Sequence, residues 1–165
     1  MRDIFDPAAA IRPARPNDVP GILAMIRELA EFEALSHHVV ATEDDYHASL
    51  FGENPAAEAL VAEVGNNLVG YAIFFSTFST FIGRAGIWLE DLYVRPDFRG
   101  LGLGKGLLKV VGEIAAARNA GRYEWSVLDW NRNAIELYER VGGEILQEWR
   151  IVRLDQQGIR SLPEK

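Results

Sequence analysis

Cysteine is absent from this chain of 165 residues, and histidine is scarce, with three residues. The absence of cysteine excludes disulfides, thiolate metal sites and a cysteine nucleophile. Two of the histidines, His37 and His38, are adjacent in a polar stretch, so they do not suggest a cluster of metal ligands. We therefore predict that the protein has no metal centre.

Long hydrophobic runs and an excess of positive charge are also missing. No apolar stretch approaches the ~20 residues that a helix needs to cross a bilayer, and no signal peptide is recognisable, so we expect a cytoplasmic protein without membrane contact. The 17 Lys and Arg residues face 24 Asp and Glu, a formal net charge of −7. This balance argues against a nucleic-acid partner and suits a cationic substrate.

The length fits one domain over residues 1–165, with a loose N-terminus at 1–9 and a C-terminal tail at 156–165. Periodicity and turn residues predict a strand, two helices, three strands, a helix, a strand, a helix and a strand. The predicted ranges are 11–14, 17–32, 42–50, 59–64, 68–78, 87–94, 103–120, 123–128, 132–141 and 144–154. This order indicates an α/β fold with a central, mixed, mostly antiparallel sheet flanked by helices.

The most informative stretch is a glycine loop, Arg99 to Lys105, between a predicted strand and a predicted helix. Glycines let backbone N–H groups approach a phosphate, and the start of the helix adds unpaired donors and a positive dipole end. The spacing fits neither a dinucleotide fingerprint nor a P-loop, since Lys105 or Leu107 replaces the last glycine of the former and Gly106 the hydroxyl residue of the latter. A turn without a ligand is the alternative.

A second informative segment contains Asn131 and Tyr138. Asn131 is a suitable N-cap for the helix predicted over 132–141, and Tyr138 lies two turns along on about the same face. Taken alone, this pattern favours a capped helix with a core tyrosine. Together with the glycine loop earlier in the chain, it favours a ligand-binding pair.

These two segments resemble the signatures of the GCN5-related N-acetyltransferases, which bind acetyl-CoA. The resemblance rests on Arg99-x-x-Gly102-x-Gly104 and on Asn131 followed by Tyr138. Shorter matches resemble one branch, the spermidine/spermine N-acetyltransferases and their thialysine-acetylating relatives. Those matching stretches are residues 11–14, 26–33, 60–64, 89–91, 98–100 and 130–131.

The resemblance implies a role for each matching position. Tyr138 is implied to be the general acid that protonates the departing CoA thiolate, and Glu90 to hold the substrate cation or relay its proton. The implied acetyl-CoA contacts are Leu92, Tyr93, Val94, Arg99, Gly100, Leu101, Gly102, Leu103, Gly104, Lys105, Asn131 and Tyr138. The implied surroundings of the amine are Phe32, Glu33, Glu90, Glu124, Trp125 and Ser126.

The implied roles suit direct attack of an amine on a thioester. A phenol with the reference pKa of ~10 is protonated at neutral pH and can donate a proton. A carboxylate with a reference pKa of ~4.3 is a poor acceptor from an alkylammonium near ~10, so we expect Glu90 mainly to anchor the cation. Asp91 is the weaker candidate for the base, because simple alternation would turn it to the opposite face of its strand. A backbone N–H near Val94 could serve the oxyanion.

The expected function is an acetyl-CoA-dependent N-acetyltransferase that acts on a primary amine of a small cationic substrate. A polyamine, a diamine or a thialysine-like compound fits that description, with direct attack in a ternary complex. The resemblance also implies a homodimer. Two alternatives remain open: acetylation of a protein or peptide amine, and a noncatalytic acetyl-CoA sensor. The presence of both Tyr138 and Glu90 argues against the sensor.

Overall fold

The computed structural model describes residues 9–164, with side chains over 9–163. The predicted loose N-terminus, 1–9, therefore lies almost entirely outside the described residues. The chain divides into two compact units, Met1–Ser126 and Val127–Lys165. The single domain remains a prediction.

The first unit is built on one sheet. Its strands are β1 Ala9–Pro13, β2 Glu58–Val64, β3 Asn67–Ser79, β4 Arg84–Val94 and β5 Tyr123–Trp125. Its helices are α1 Val19–Phe32, α2 Glu43–Phe51 and α3 Leu103–Ala117. The strands lie in the order β1-β2-β3-β4-β5, antiparallel except for β4 and β5, which α3 joins as parallel neighbours. The predicted α/β fold with a mixed, mostly antiparallel sheet is confirmed.

Helix α1 covers one face of this sheet, which we call the α1 face. Ile22, Met25 and Ile26 recur at three- and four-residue spacing and form one buried cluster with Tyr71 and Tyr93 of the sheet. Removing each such aliphatic side chain from water is worth roughly 1.5–3 kcal/mol. The apolar stripe read from the sequence therefore decides which side of α1 meets the sheet.

Helix α3 covers the opposite face. Leu103, Leu107 and Val111 are buried, and a Cβ placed on Gly104 would stand 3.8 Å from Val94 Cγ2. Because Val94 follows Tyr93 in the strand, the two side chains point to opposite faces. The end of β4 is thus fixed between α1 and α3.

Three predicted boundaries in the first unit shift by three residues, and the others by at most two. β4 begins at Arg84 rather than residue 87, because its pairing with β3 continues to Ser79. α3 ends at Ala117 rather than residue 120, since Asn119 adopts a positive φ of 54° that stops the helix. β5 ends at Trp125 rather than residue 128, where its ladder with β4 ends.

The second unit contains α4 Arg132–Arg140 and α5 Gln156–Ser161, which lies within the predicted tail. The helix predicted over 132–141 is confirmed, but the strand predicted over 144–154 is wrong. A strand exists only where a neighbour completes its hydrogen bonds, and this segment pairs with no strand in the described chain. Its apolar side chains, including Trp149 and Val152, are exposed.

Arg12 connects β1 to the start of α1 and to β2. Its guanidinium donates to Asp18 at 2.7 and 3.0 Å and to Glu63 through Nε at 2.9 Å. The side chains of Arg12 and Asp18 are only 18% and 10% exposed, so the pair is shielded from water. The Arg12 guanidinium holds the pKa of the Asp18 carboxyl below its usual range.

Replacing Arg12 with alanine is expected to lower the free energy of unfolding by about 2–4 kcal/mol near neutral pH, because Asp18 is left buried without its partner. The lowered pKa of Asp18 means that this stabilisation is present above the ordinary Asp value of 3.8 and is lost as the pH falls through the folded value. Urea denaturation near neutral pH and in acid measures both effects. Arg118→Ala, which breaks the more exposed pair with Glu58, is the control. Equal losses in the two variants would contradict the prediction.

Candidate functional site

The glycine loop follows β4 and leads into α3. Gly100 and Gly102 both have a φ of +80°, a conformation that L side chains rarely adopt, and nothing lies within 4 Å of where their Cβ atoms would stand. Gly102 is the N-cap of α3, and no side chain caps this helix. The backbone donors of the first turn of α3 are thus left to another acceptor, which fits an anion such as a phosphate.

Arg99, at the start of the loop, contacts both β4 and the end of α1. Its Nε donates to the Val94 carbonyl at 2.9 Å. Its guanidinium carbon lies 5.6 Å from the ring centroid of Phe32 and 5.8 Å from that of Tyr93, within the range of cation–π attraction. The structure therefore brings Phe32, predicted beside the amine, next to Arg99, predicted beside the cofactor.

The last part of β4 has one edge without a strand partner among the described residues. β5 pairs only with Ile87–Leu89, whereas β3 continues to pair with β4 as far as Val94. Leu92, Tyr93 and Val94 therefore lie where an extended ligand can add β-type hydrogen bonds. The Val94 carbonyl already accepts the Arg99 hydrogen bond.

A β-bulge lies at Glu90. Leu89 pairs with Phe74 and Asp91 with Ile73, so Glu90 is an extra residue opposite no partner. Its side chain is exposed and accepts a hydrogen bond from Trp88 Nε1 at 2.8 Å. The bulge breaks the alternation of side chains along β4. The sequence argument that made Asp91 a weaker candidate for the base than Glu90 assumed unbroken alternation, so it does not hold across the bulge.

Asp91 is partly buried on the α1 face of the sheet. The Tyr71 hydroxyl donates to Asp91 Oδ2 at 3.3 Å, and Tyr71 is fully buried. Burial raises the pKa of Asp91 to about 6, with a further contribution from the charge of Glu90, while the Tyr71 hydrogen bond acts in the opposite direction. Sequence analysis missed this environment, because neither the bulge nor the packing of Tyr71 leaves a local pattern.

The residues predicted around the amine come from three elements of the first unit. Glu33 is the C-cap of α1, and burial raises the pKa of its carboxyl. Glu124 stands opposite Trp88 in the ladder and forms an ion pair with Arg122 at 2.6 Å. Trp125 packs against the Tyr123 ring with centroids 4.8 Å apart, and Ser126, the last residue of this unit, is exposed. Trp88 therefore contacts both Glu90 and Glu124, since its indole N–H donates to Glu90 and its backbone lies opposite Glu124 in the ladder.

Asn131 and Tyr138 lie in the second unit. The Asn131 Oδ1 atom accepts the Ala134 backbone N–H at 3.3 Å, so the predicted N-cap of α4 is confirmed. Tyr138 is in the second half of α4 and is partly buried. The loop, the β4 edge and the predicted amine surroundings therefore belong to one unit, and this pair belongs to the other.

Across residues 9–164, no group of three or more His, Asp and Glu side chains is arranged to hold a metal ion. In the same part of the chain, none of the helices has both the length and the apolar content that crossing a bilayer requires.

The chain is similar to known proteins. The model of the "Acetyltransferase (GNAT) family" matches residues 23–143. The thialysine N-epsilon-acetyltransferase of Mus musculus is 41% identical over 163 residues, covering 92% of this chain and 95% of the relative. The L-ornithine N5-acetyltransferase of Arabidopsis thaliana is 30% identical over 197 residues, covering 92% of this chain and 86% of the relative.

A solved structure supports the fold independently of close sequence similarity. An integron cassette protein from the mobile metagenome of V. cholerae superposes with a TM-score of 0.79 at 21% identity, covering 97% of this chain and 100% of that chain. The relatives also confirm the resemblance to the thialysine-acetylating branch. The chain belongs to the acetyltransferase (GNAT) family and is an N-acetyltransferase.

Proposed function

We propose that this N-acetyltransferase transfers an acetyl group from acetyl-CoA to the primary amine of a small cationic compound. The observation that carries the proposal is the glycine loop, whose two left-handed glycines precede an uncapped helix beside the unpaired edge of β4. A pyrophosphate and an extended pantetheine arm fit these two features. The relatives named above act, by their names, on side-chain nitrogens of thialysine and L-ornithine.

The loop would hold the pyrophosphate. Backbone N–H groups between Gly100 and Lys105, including those of Leu101, Leu103 and Gly104, supply donors, and the α3 dipole adds a positive end. Arg99 and Lys105 supply charge. The edge of β4 would bind the pantetheine arm through the backbone of Leu92, Tyr93 and Val94, and Asn131 would add a side-chain contact. The thioester of acetyl-CoA supplies the activated acetyl group.

Acidic and aromatic side chains would surround the amine. Phe32 and Glu33 at the end of α1, Glu90 at the bulge and the segment Glu124–Ser126 on the neighbouring strand supply them. A diamine or polyamine carries several positive charges, so a group of carboxylates attracts it. Glu124 contributes less to this attraction, because Arg122 neutralises it.

In this mechanism the amine attacks the thioester directly, within a ternary complex. Glu90 holds the cationic substrate, a backbone N–H near Val94 stabilises the oxyanion, and Tyr138 protonates the departing sulfur. No acyl group is carried by the enzyme. The same resemblance supports the expectation of a homodimer in the cytoplasm, without nucleic-acid or membrane partners and without a metal.

CoA release from acetyl-CoA tests the function with purified protein and a panel of amines: thialysine, ornithine, lysine, putrescine, spermidine, spermine and a lysine-containing peptide. Saturable turnover with one of the small amines is expected. Turnover with the peptide alone would contradict the proposed substrate class. Binding of acetyl-CoA without turnover on any amine would overturn the proposal in favour of a sensor.

Glu90→Gln is expected to raise the KM for the cationic amine about tenfold, which corresponds to the loss of roughly 1.4 kcal/mol of charge attraction. Its kcat and its KM for acetyl-CoA should change by less than about threefold. Steady-state kinetics at low and high salt measure these constants. The difference in the KM for the amine between the parent protein and the variant should shrink as salt screens the charge. Glu113→Gln, on the exposed side of α3, is the control. A loss confined to kcat would contradict the anchoring role.

A further inference from the structure

The bulge in β4 decides which face of the sheet Asp91 occupies. Leu89 pairs with Phe74 and Asp91 pairs with Ile73, and directly opposed residues of a ladder share a face. Since Ile73 and Phe74 are consecutive, their side chains point to opposite faces. The extra residue therefore moves Asp91 from the face of Leu89 to the α1 face, where Ile73 and Tyr71 belong to the buried cluster under α1.

Two tyrosines and two carboxylates interact with Asp91 from the elements around it. Tyr71 of β3 donates a hydrogen bond to Asp91, and Tyr46 of α2 interacts with it electrostatically. Glu33 at the end of α1 and Glu90 beside it on β4 both repel its negative charge. The bulge thus places one carboxylate on the α1 face within electrostatic range of Glu33 and Glu90, two of the residues predicted to surround the amine.

In this environment Asp91 is a better proton acceptor than an ordinary, solvated aspartate. Burial first, and then the charge of Glu90, raise the pKa of Asp91 to about 6 from 3.8. The group is still ionised at neutral pH, yet it holds a proton about a hundredfold more tightly than a solvated aspartate. The exposed Glu90 has no such burial.

We propose that Asp91, positioned by the β-bulge and by the Tyr71 hydroxyl, is the catalytic residue that takes the proton of the substrate ammonium group, while Glu90 holds the cation. This inference rests on the proposed amine acetylation. The ammonium N–H bond breaks and its proton passes to an Asp91 oxygen. The freed electron pair forms the C–N bond while the carbonyl oxygen takes up the C=O pair as an oxyanion, and re-formation of the C=O bond then breaks the C–S bond. The Tyr138 hydroxyl gives its proton to the sulfur, the nitrogen passes its second proton to the Tyr138 oxygen, and Asp91 releases its own proton to water.

The test is Asp91→Asn, because asparagine keeps the size of the side chain and an oxygen that can accept the Tyr71 hydrogen bond. The value of kcat/KM for the amine is expected to fall about a hundredfold near neutral pH. In the parent protein, kcat/KM for the amine should rise with pH through an apparent pKa near 6. The variant should lack this rise, which we call the acidic limb. Acetyl-CoA affinity, from calorimetry, should stay within about threefold. Asp44→Asn, at an exposed position of α2, is the matched control and should keep this pH dependence of kcat/KM.

Stability gives a second readout that separates catalysis from folding. A raised pKa in the folded state means that Asp91 stabilises the fold at low pH and that this stabilisation is lost as the pH rises through about 6. Asp91→Asn escapes this loss, so it should unfold at a higher temperature than the parent above about pH 6. An inactive variant that also unfolds at a lower temperature there would overturn the proposal.

Tyr71→Phe provides an independent variant. Because the Tyr71 hydrogen bond lowers the pKa of Asp91, its removal should shift the acidic limb of kcat/KM to higher pH. Near-parental kcat/KM and an unchanged limb in Asp91→Asn would refute the role of Asp91 and leave the acetyltransferase function intact. Absence of amine turnover by the parent protein would instead refute the proposed function itself.

Discussion

Tyr138→Phe is expected to lower kcat about a thousandfold with the preferred amine, within the range that general acid catalysis supplies. The variant keeps the ring and loses the hydroxyl that would protonate the departing sulfur. The loss should diminish as the pH rises above the ~8.5 typical of a thiol, because a thiolate is then stable without a proton. Stopped assays of CoA release across this pH range measure both effects.

Acetyl-CoA binding separates this result from damage to the site. The dissociation constant of Tyr138→Phe, measured by calorimetry, should remain within about threefold of the parent value. Tyr123→Phe is the matched control, and the Tyr123 hydroxyl donates to the Leu108 carbonyl at 3.4 Å. It should retain activity within a few-fold. Full turnover by Tyr138→Phe would remove this tyrosine from the mechanism.

Gly102→Val is expected to weaken acetyl-CoA binding about a hundredfold. A β-branched residue disfavours a φ of +80°, so the loop would turn its backbone N–H groups away from the pyrophosphate. Losing two hydrogen bonds to a charged group costs about 3 kcal/mol, which is a factor of about a hundred in the dissociation constant. Calorimetry with CoA measures the affinity without turnover.

Gly83→Val is the matched control for this variant. Gly83, in the turn between β3 and β4, also has a positive φ, of 67°, and open space around its Cβ position. Both substitutions should lower the melting temperature by similar amounts, because both strain a left-handed backbone. If both or neither weakened CoA binding, the loop would lose its assigned role in holding the pyrophosphate.

Local chemistry explains which structural features of the candidate site could be predicted. The turn at Gly100 and Gly102 can be predicted from the sequence, because a positive φ excludes most other residues and glycine therefore indicates this backbone conformation. The Asn131 cap is readable for the same reason, since its side chain bonds a backbone group three residues away. The stripe of α1 depends only on helical periodicity.

Pairing between distant strands explains what could not be predicted. The bulge at Glu90 arises from the register between β3 and β4, which brings Asp91 opposite Ile73. Alternation continued from Leu89 through β4 assigns Asp91 to the face opposite α1, because it takes no account of the extra residue. The hydrogen bond to Asp91 likewise comes from Tyr71, twenty residues away in the sequence.

The wrong prediction of a strand over 144–154 has the same physical cause. Its apolar pattern is real, but pattern describes side chains, whereas a strand also needs a neighbouring backbone. By itself, the sequence determined the elements whose hydrogen bonds close locally, the glycine loop and the family of the protein. Only the tertiary structure decided which carboxylate lies buried on the α1 face, because burial and register are set by residues far apart in the chain.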